Sequence, residues 1–476
     1  MTEETKSLCL FCSLGCGLTV RKSSGNVLHV EYDRENPRTR GKLCAKGNLI
    51  ASLLDHPKRI DAPTVGGRPV SRQEAYHAIA ERMTRASGLI VEGDASSEDL
   101  AAAADFGRTC LSGGPVAVSF PTGDDAVLSS VLRFSEFFSM AEWEDLRASN
   151  CTVAVGDPFA VGPVVAGPLL EARNAQRGNS LNVISATPGL TSRFAKTSLI
   201  GSVRGSLKSL LVNALGRSAE KPEWGRVILG QSEPSPLQQA AEIQTLANDL
   251  AGAGRVVIVT ATSDPVAASL AALLAGALGS KAKVFILTDY GNASDIVQSQ
   301  PGFCSVEEVF HKIDGGQVKN LLTLGVDLVS SYPGLPVEEK LGQLDHLISG
   351  SSFPTETTRR AEIVLPTTLW IEEDAVRAGK RRRSAVPPPG AAQSYGKILA
   401  SIAAARGREL HAKSLEAAHP RKATIRELCL ELLEEARKEP AAPRVKSTET
   451  RFAGGWLTGY SDWVRARFAR CPAPLH

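Results

Sequence analysis

Short runs of apolar, β-branched residues alternate with longer alanine- and leucine-rich stretches between residues 89 and 365. A short apolar run bounded by turn residues is typical of a buried strand, and the longer stretches are typical of helices. The alternation predicts parallel sheets covered by helices. The predicted strands are 89–91, 116–120, 152–155, 181–184, 256–260, 284–287, 321–324 and 363–365. The predicted helices are 97–110, 125–138, 166–177, 235–253, 264–279, 305–314 and 336–344.

Eight strands are too many for one small sheet, so the pattern predicts two doubly wound α/β halves. Ser71 and Glu74 have the spacing of a capping box and predict that a helix begins there. Nearer the N-terminus, two short strands about a Ser-Gly-Asn turn predict a β-hairpin over residues 18–33.

The C-terminal part has a different pattern. Residues 391–439 are predicted to be helical, and 439–450 have the composition of a flexible linker. The last 26 residues are rich in large aromatic side chains, for which docking on the protein's own body or on a partner is expected; among them are Trp456, Tyr460, Trp463 and Phe468.

Composition narrows the class of protein. The length of 476 residues predicts about three domains, and 43% hydrophobic residues are enough for full globular folding. A net charge of +3, from 54 basic and 51 acidic residues, gives no reason to expect binding to nucleic acid or to an anionic membrane surface. We expect no signal peptide, no membrane insertion and a cytoplasmic location. Five scattered cysteines without a disulfide pattern fit a reducing compartment: Cys110, Cys151, Cys304, Cys429 and Cys471.

The other four cysteines carry the main chemical signal. Cys9, Cys12, Cys16 and Cys44 have the spacing C-x2-C-x3-C-x27-C. Thiolates are soft ligands for zinc, copper(I) or iron–sulfur clusters, and three of these lie close enough in sequence to surround one corner of a cluster. We predict a 4Fe-4S cluster in a shallow site. Structural zinc and unrelated reduced thiols are the alternatives, although zinc sites usually place cysteines in two similar pairs.

The cysteines belong to a longer motif. The chain reads C-x2-C-x3-C-G-L-x-V-x4-G-x-V, then D-x3-P, G-K-L-C-x-K-G and H-P-x-R-I-x-x-P. This resembles the cluster-binding start of the molybdopterin oxidoreductase superfamily, which includes formate dehydrogenases, the B component of formylmethanofuran dehydrogenase and the large iron–sulfur subunit of respiratory complex I. Segments near Pro354-Thr355-Glu356-Thr357 and Ala361–Pro366 extend the resemblance to about residue 405.

The resemblance implies an iron–sulfur β domain and two α/β domains, one of them discontinuous, without the family's C-terminal β-barrel domain. The expected boundaries are 1–62 for the cluster domain, 63–122 with 300–408 for the discontinuous domain, 123–299 for an inserted Rossmann-like domain, and 409–476 for a helical and linker extension. Lys46 falls at the family's lysine between cluster and pterin, which implies a place in the electron path. His56 is expected to be structural.

Several family positions are altered. Residues 120–150 contain no cysteine or histidine to bind molybdenum or tungsten, and Cys110 is expected to be a core side chain. The positions corresponding to pterin-dinucleotide contacts are altered. Ser185-Ala186-Thr187 has lost the family's acidic and basic groups, Arg204-Gly205-Ser206-Leu207 has lost its acid, and Glu372-Glu373-Asp374 retains only its opening acid. Gly156-Asp157-Pro158 and Gly325-Val326-Asp327 place an acid near where phosphates would lie. Added negative charge opposes pyrophosphate binding, so we expect no molybdopterin or tungstopterin.

These observations predict a cluster-bearing, electron-transferring subunit of a multi-subunit oxidoreductase that is not catalytic alone. The alternatives are a protein similar to the B component of formylmethanofuran dehydrogenase or to a formyltransferase/hydrolase subunit, a formate dehydrogenase-type catalytic subunit, and a scaffold whose cluster is only structural. The basic run from Lys380 to Arg383 is a candidate contact with an acidic partner or with an anionic, polyglutamylated one-carbon carrier, unless it is simply a solvated loop.

Overall fold

The computed structural model describes residues 2–23, 26–54, 56–83, 85–218, 220–232, 236–298, 303–377, 379–411 and 423–438. The strands are β1 (Thr2–Leu8), β2 (Gly17–Ser23), β3 (Asn26–Tyr32), β4 (Thr64–Val65), β5 (Arg68–Pro69), β6 (Ser87–Glu92), β7 (Val116–Ser119), β8 (Ser139–Met140), β9 (Cys151–Gly156), β10 (Ser180–Ser185), β11 (Thr197–Ile200), β12 (Val256–Ala261), β13 (Ala282–Ile286), β14 (Asn320–Leu324), β15 (His346–Ser351), β16 (Ile363–Pro366), β17 (Ala375–Arg377) and β18 (Lys380–Arg382).

The α-helices are α1 (Ala45–Asn48), α2 (Ile50–Leu54), α3 (Arg72–Arg82), α4 (Ser97–Cys110), α5 (Asp124–Leu132), α6 (Trp143–Ala148), α7 (Pro158–Val161), α8 (Ala166–Ala175), α9 (Val203–Arg217), α10 (Glu223–Gln231), α11 (Ala241–Gly252), α12 (Pro265–Leu278), α13 (Ala293–Gln298), α14 (Val306–Asp314), α15 (Leu328–Ser331), α16 (Val337–Gly342), α17 (Glu356–Arg360), α18 (Tyr395–Ala405) and α19 (Ile425–Arg437). Short 3-10 helices include Thr191–Phe194 and Trp370–Glu372. None of the helices in the described ranges has the length and apolar composition to cross a bilayer.

The N-terminal sheet is antiparallel, with the order β1-β2-β3. Leu8 pairs with Gly17, and β2 continues directly into the hairpin with β3. The predicted hairpin is therefore confirmed, with β1 added as a third strand. The turn between Leu8 and Gly17 contains three of the four clustered cysteines.

The first large sheet has the order β11-β10-β9-β12-β13-β8, and every pairing in it is parallel. Its strands all come from the continuous segment 139–286. The chain order reverses between the adjacent strands β9 and β12. Ligands of open α/β sheets bind at the carboxyl ends of strands beside such a switch point.

The second large sheet has the order β5-β4-β16-β15-β14-β6-β7. Strands β16, β15, β14, β6 and β7 are parallel, and its switch point lies between β14 and β6. Its strands come from 64–119 and 320–366, on either side of the segment that builds the first sheet. The predicted fold class, with one α/β unit interrupted by another, is confirmed, while the numerical domain boundaries stay predictions.

Local predictions agree in most places. All eight predicted strands occur, and Ser71 and Glu74 form the predicted capping box. The helix predicted over 125–138 ends at Leu132, and the one predicted over 235–253 begins at Ala241. In the described part of the C-terminal region, α18 and α19 are helical. The predicted linker and the C-terminal aromatic residues lie outside the described residues.

Candidate metal centre

The four cysteines lie at the ends of elements of the N-terminal domain. Cys9 follows β1, Cys12 lies in the turn, and Cys16 precedes β2; the backbone N–H of Cys9 donates to the carbonyl of Cys16 over 2.8 Å. Cys44 is the N-cap residue of α1, with an extended backbone at φ −83°. The antiparallel hairpin thus closes one side of the site, and the start of a helix approaches the other.

Burial shapes the chemistry of these thiols. Cys9, Cys12 and Cys16 are 3–6% exposed, and Cys44 is partly exposed. Burial raises the pKa of all three buried thiols, that of Cys12 to about 11, and the negative charge of Cys44 acts in the same direction on each. The four sulfurs therefore lie within electrostatic range of one another. The site is deeper than the shallow one that we predicted.

Backbone donors point at two of the sulfurs. The N–H of Phe11 hydrogen-bonds to Cys9 and that of Leu14 to Cys12, and each lowers the pKa of its thiol against the larger effect of burial. Such N–H···S bonds tune the potential of iron–sulfur clusters. In the described ranges, no three His, Cys, Asp or Glu side chains are grouped as ligands of one metal ion. A cubane does not need such convergence, because each of its four irons takes its own thiolate. The donor set fits a 4Fe-4S cluster.

The cysteine turn is wedged between the two α/β sheets. The N–H of Gly291 donates to the Leu10 carbonyl over 3.1 Å, and Ser13 N–H donates to the Thr288 carbonyl over 3.0 Å. On the other side, the Trp370 indole N–H donates to the Leu8 carbonyl over 2.9 Å. The three cysteines of the turn share one hydrophobic core with residues of both α/β units, including Phe159, Leu287, Phe353 and Val386.

Lys46 lies beneath this turn. It is 8% exposed, and its Nζ donates to the carbonyl of Val161, at the end of α7, over 3.0 Å. Its positive charge lowers the pKa of Cys12 and of Cys9. Lys46 therefore links the cysteine turn electrostatically and sterically to the segment that follows β9.

At the first switch point, the chain's own groups occupy the carboxyl ends of the strands. Asp157, after β9, accepts hydrogen bonds from the backbone N–H of Leu190 (2.6 Å) and of Thr191 (3.1 Å), at the start of a 3-10 helix. Gly156 has φ +86°, and a Cβ there would lie 2.1 Å from the Ala261 carbonyl oxygen of β12. The two strands are in direct contact across the switch point.

The second switch point repeats this arrangement. Asp327, after β14, accepts from the backbone N–H (3.2 Å) and hydroxyl (2.9 Å) of Thr357, at the start of α17. Gly325 has φ +81°, and a Cβ there would lie 2.1 Å from the Tyr395 hydroxyl. The space beside β14 is taken by a tyrosine.

A cluster of acidic residues lies around Tyr395. The Tyr395 hydroxyl donates to Asp94 over 3.2 Å, and the buried Arg377 guanidinium contacts both Glu373 and Asp99. Burial raises the pKa of Glu373 to about 7, and Arg377 only partly offsets this because it is shared with other carboxylates.

Two further residues at the family positions, the retained acid Glu372 and Arg204, also have internal partners. Glu372 forms a bidentate ion pair with Arg59, with both N–O distances 2.8 Å and both side chains buried. Arg204 binds Asp264, the N-cap residue of α12, and donates to the carbonyls of Glu435 (2.9 Å) and Lys438 (2.8 Å) at the end of α19.

Sequence reasoning identified some of these residues and missed others. Cys110 is the core side chain predicted, at 3% exposure in α4. His56 lies edge-on to Phe353, with ring centroids 6.4 Å apart. The acids Asp157 and Asp327 stand out in the sequence, but nothing local in it marks Thr191 or Thr357 as their partners.

A known domain family matches the N-terminal part of the chain. Residues 2–56 match the family model "Molybdopterin oxidoreductase Fe4S4 domain", a span that includes all four cysteines. The protein therefore carries the Fe4S4 domain of the molybdopterin oxidoreductases, and the resemblance in its sequence is confirmed.

Individual relatives align with most of the chain. It is 23% identical to the F420-dependent formate dehydrogenase subunit alpha of Methanocaldococcus jannaschii, over 83% of this chain and 69% of the relative. It is 26% identical to the NADH-quinone oxidoreductase subunit 3 of Thermus thermophilus, over 85% of this chain. The chain spans about half the length of that second relative, 51%.

Two solved structures share the fold. Acetylene hydratase from Pelobacter acetylenicus superimposes with a TM-score of 0.68 at 15% identity, covering 85% of this chain and 69% of the other. A chain of the formyltransferase/hydrolase complex from Methylorubrum extorquens, in complex with methylofuran, gives 0.51 at 18% identity, covering 72% of this chain and 97% of the other.

Proposed function

We propose that this protein is the 4Fe-4S cluster-bearing subunit of a multi-subunit oxidoreductase, and that it transfers electrons without holding a metal-pterin. Cys9, Cys12, Cys16 and Cys44 would bind the cluster, and Lys46 would lie in the electron path. The cytoplasmic location expected from the sequence is part of this proposal.

The main support for the loss of the pterin is that the chain's own side chains occupy both switch points. Asp157 and Asp327 use the backbone N–H groups that an anionic phosphate would otherwise need, and each adds negative charge. The Tyr395 hydroxyl fills the space beside Gly325. Expelling the buried Asp327 carboxylate from its hydrogen bonds would cost several kcal/mol.

A bound cluster would supply one-electron transfer, and the chain's residues would set its conditions. The apolar core around the cysteine turn excludes water, and the N–H groups of Phe11 and Leu14 and the charge of Lys46 stabilise the thiolate form. A protein with a cluster and no substrate site needs an electron donor and an acceptor, and both relatives above are named as subunits.

An EPR redox titration of anaerobically purified full-length protein, combined with metal analysis and pterin extraction, tests this proposal. We expect about four irons per chain, a reversible reduced-cluster signal, no molybdenum or tungsten, and no fluorescent pterin. A colourless zinc protein would refute the cluster, and an extractable pterin would refute the loss of the cofactor. A cluster that cannot be reduced would refute electron transfer and favour a purely structural role for the cluster.

A formyl-transfer setting is the second candidate. The match to a chain of the formyltransferase/hydrolase complex covers 97% of that chain, so the shared fold extends over nearly all of that subunit. If this interpretation is correct, the complex purified from native cells should release formate from a formylated one-carbon carrier at the same rate with the cluster oxidised or reduced. A rate that is zero in both states, with rapid cluster turnover, would favour electron transfer.

A further inference from the structure

A cationic surface lies beside the cysteine turn. It comprises Arg34, Arg38 and Arg40 from the segment between β3 and Cys44, and Lys380, Arg382 and Arg383 from the β17–β18 hairpin and the residue after it. All of these side chains are exposed except that of Arg382, which is partly buried. We call this the Arg38–Arg382 surface.

The first half of the surface is fixed against the turn. Asn36 caps its own segment by accepting from the N–H groups of Arg38 and Thr39, and its side chain packs on Gly17, the residue after Cys16. The Arg38 guanidinium Nη1 lies 4.0 Å from where a Cβ on Gly15 would be. The charge of Arg38 is therefore held over the turn that joins Cys12 to Cys16.

The second half of the surface, on the β17–β18 hairpin, belongs to the other α/β unit and lies near the first half. Ala385 and Val386, just after the hairpin, pack in the hydrophobic core that contains Cys9 and Cys16. Arg382 lies close enough to Arg38 that the two positive charges act on one another, and burial together with Arg38 lowers the pKa of Arg382.

Several nearby acids already pair with other cations, and Asp374 accepts a hydrogen bond from the Ser384 N–H. Lys6 binds both Asp33 and Glu35 of the same segment, and Glu98 binds Arg381 on the opposite face of the hairpin. Arg40 is 3.9 Å from Glu144, which it shares with Arg147. In the described part of the chain, no carboxylate is within ion-pair distance of Arg34, Arg38, Lys380, Arg382 or Arg383. Positive charges held near one another without paired carboxylates, as at these five residues, favour an anionic partner.

We propose that the Arg38–Arg382 surface is the docking site for an acidic electron-carrier protein that exchanges single electrons with the cluster, a proposal that rests on the electron-transfer function above. Arg38 of this surface lies over the Cys12–Cys16 turn, so a docked carrier would lie against the backbone of a cluster ligand loop. In the forward direction the carrier loses one electron and the cluster gains it, with no bond made or broken.

Stopped-flow kinetics on the reconstituted full-length protein tests this docking site, with a chemically reduced, acidic [2Fe–2S] ferredoxin as the probe. For the wild type, we expect a rate constant of cluster reduction that falls steeply as ionic strength rises. The double variant Arg38→Glu/Arg382→Glu should be at least about tenfold slower at low salt and nearly insensitive to salt.

The matched control is Arg226→Glu. Arg226 is exposed on α10, a helix that packs in a hydrophobic core of the inserted unit separate from the core around the cysteines. It should behave like the wild type, and all variants should give the same EPR signal with dithionite, which shows that the cluster is intact. A double variant as fast as Arg226→Glu would overturn the docking site. A wild type without a reducible cluster would instead overturn the proposed function.

The same variants also distinguish an acidic carrier protein from an anionic one-carbon carrier. If all variants accept electrons equally fast, while a poly-γ-glutamate peptide binds to the wild type and not to the double variant, the surface belongs to an anionic one-carbon carrier and the proposal is wrong.

Discussion

The Asp327 carboxylate accepts two hydrogen bonds from Thr357, one from its backbone N–H and one from its hydroxyl. Both residues are fully buried. Asp157 and Thr191 form the same type of pair at the other large sheet, again with a carboxylate that closely follows a Gly at positive φ and a threonine at the start of a short helix. The two halves of the molecule have thus adopted the same internal contact at equivalent places.

Thr357→Val tests this contact. The substitution keeps the shape and the backbone N–H but removes the hydroxyl, so we expect the free energy of unfolding to fall by about 1–3 kcal/mol. Thr357→Ser keeps the hydroxyl and loses only one buried methyl group, which costs about 1 kcal/mol. Urea denaturation measures both. A valine variant as stable as the serine variant would show that the carboxylate does not depend on this hydroxyl.

Arg59→Met breaks the buried ion pair with Glu372. Because the substitution leaves a buried carboxylate without its cation, we expect a loss of about 3–5 kcal/mol, and the double variant Arg59→Met/Glu372→Met should recover much of it. The exposed pair Arg133–Glu431 provides the control, since Arg133→Met should cost less than about 1 kcal/mol. Equal effects at the two sites would contradict the assignment.

Gly291→Ala disturbs the cysteine turn. A Cβ at this position would lie 2.9 Å from Leu10 Cα and 3.0 Å from the Cys12 carbonyl oxygen, and backbone atoms cannot easily move away. We expect lower iron content and weaker visible absorbance after reconstitution, with an unchanged far-UV circular dichroism spectrum. Gly178→Ala, which would contact nothing within 4 Å, should bind iron normally. Full iron content in Gly291→Ala would argue against the tight approach.

Lys46→Met removes a buried positive charge that acts on Cys12. Reduction of a cluster adds negative charge, so its reduced form should lose stabilisation and the midpoint potential should fall by tens of millivolts. Lys46→Arg retains the charge and should shift the potential less. EPR redox titration of the three proteins provides the comparison, and identical potentials would remove Lys46 from the electron path.

Glu373 gives a pH dependence of stability. Burial raises the pKa of this carboxyl to about 7, so the folded state binds the proton more tightly than the unfolded state does. Its contribution is therefore fully present below about pH 4.5 and is lost as the pH rises through 7. Glu373→Gln should flatten this loss of stability between about pH 5 and pH 8, because a glutamine side chain does not ionise. Glu339→Gln, at an exposed position, should leave the pH profile unchanged; parallel profiles for both variants would refute the effect.

Periodicity predicted the buried parallel strands because their residues are apolar without interruption. It missed β15, whose Ser349, Gly350 and Ser351 have low strand propensity and are held by neighbours on both sides. It also missed the short edge strand β11, whose residues alternate in exposure. Tertiary pairing, rather than local preference, fixes these elements.

The candidate site also combines features that the sequence predicts with features that depend on tertiary packing. Cysteine spacing predicted a shared site because its ligands are close in sequence, and the motif identified the domain family. The contacts of the turn with Gly291 and Trp370, separated from it by hundreds of residues, have no local signal. Arg38 could have been noticed from the run Pro37-Arg38-Thr39-Arg40, but its proximity to Arg382 depends on the packing of two separate domains.

Because the cysteine turn lies between the two α/β units, loss of iron would affect more than the N-terminal domain. The same turn that presents the ligands also bonds to Thr288 and Gly291 on one sheet unit and to Trp370 on the other. Loss of the cluster would therefore loosen the seam between the two units as well as the N-terminal domain. Oxidative damage or iron starvation would therefore weaken the contact between the two units, and not only the cluster domain.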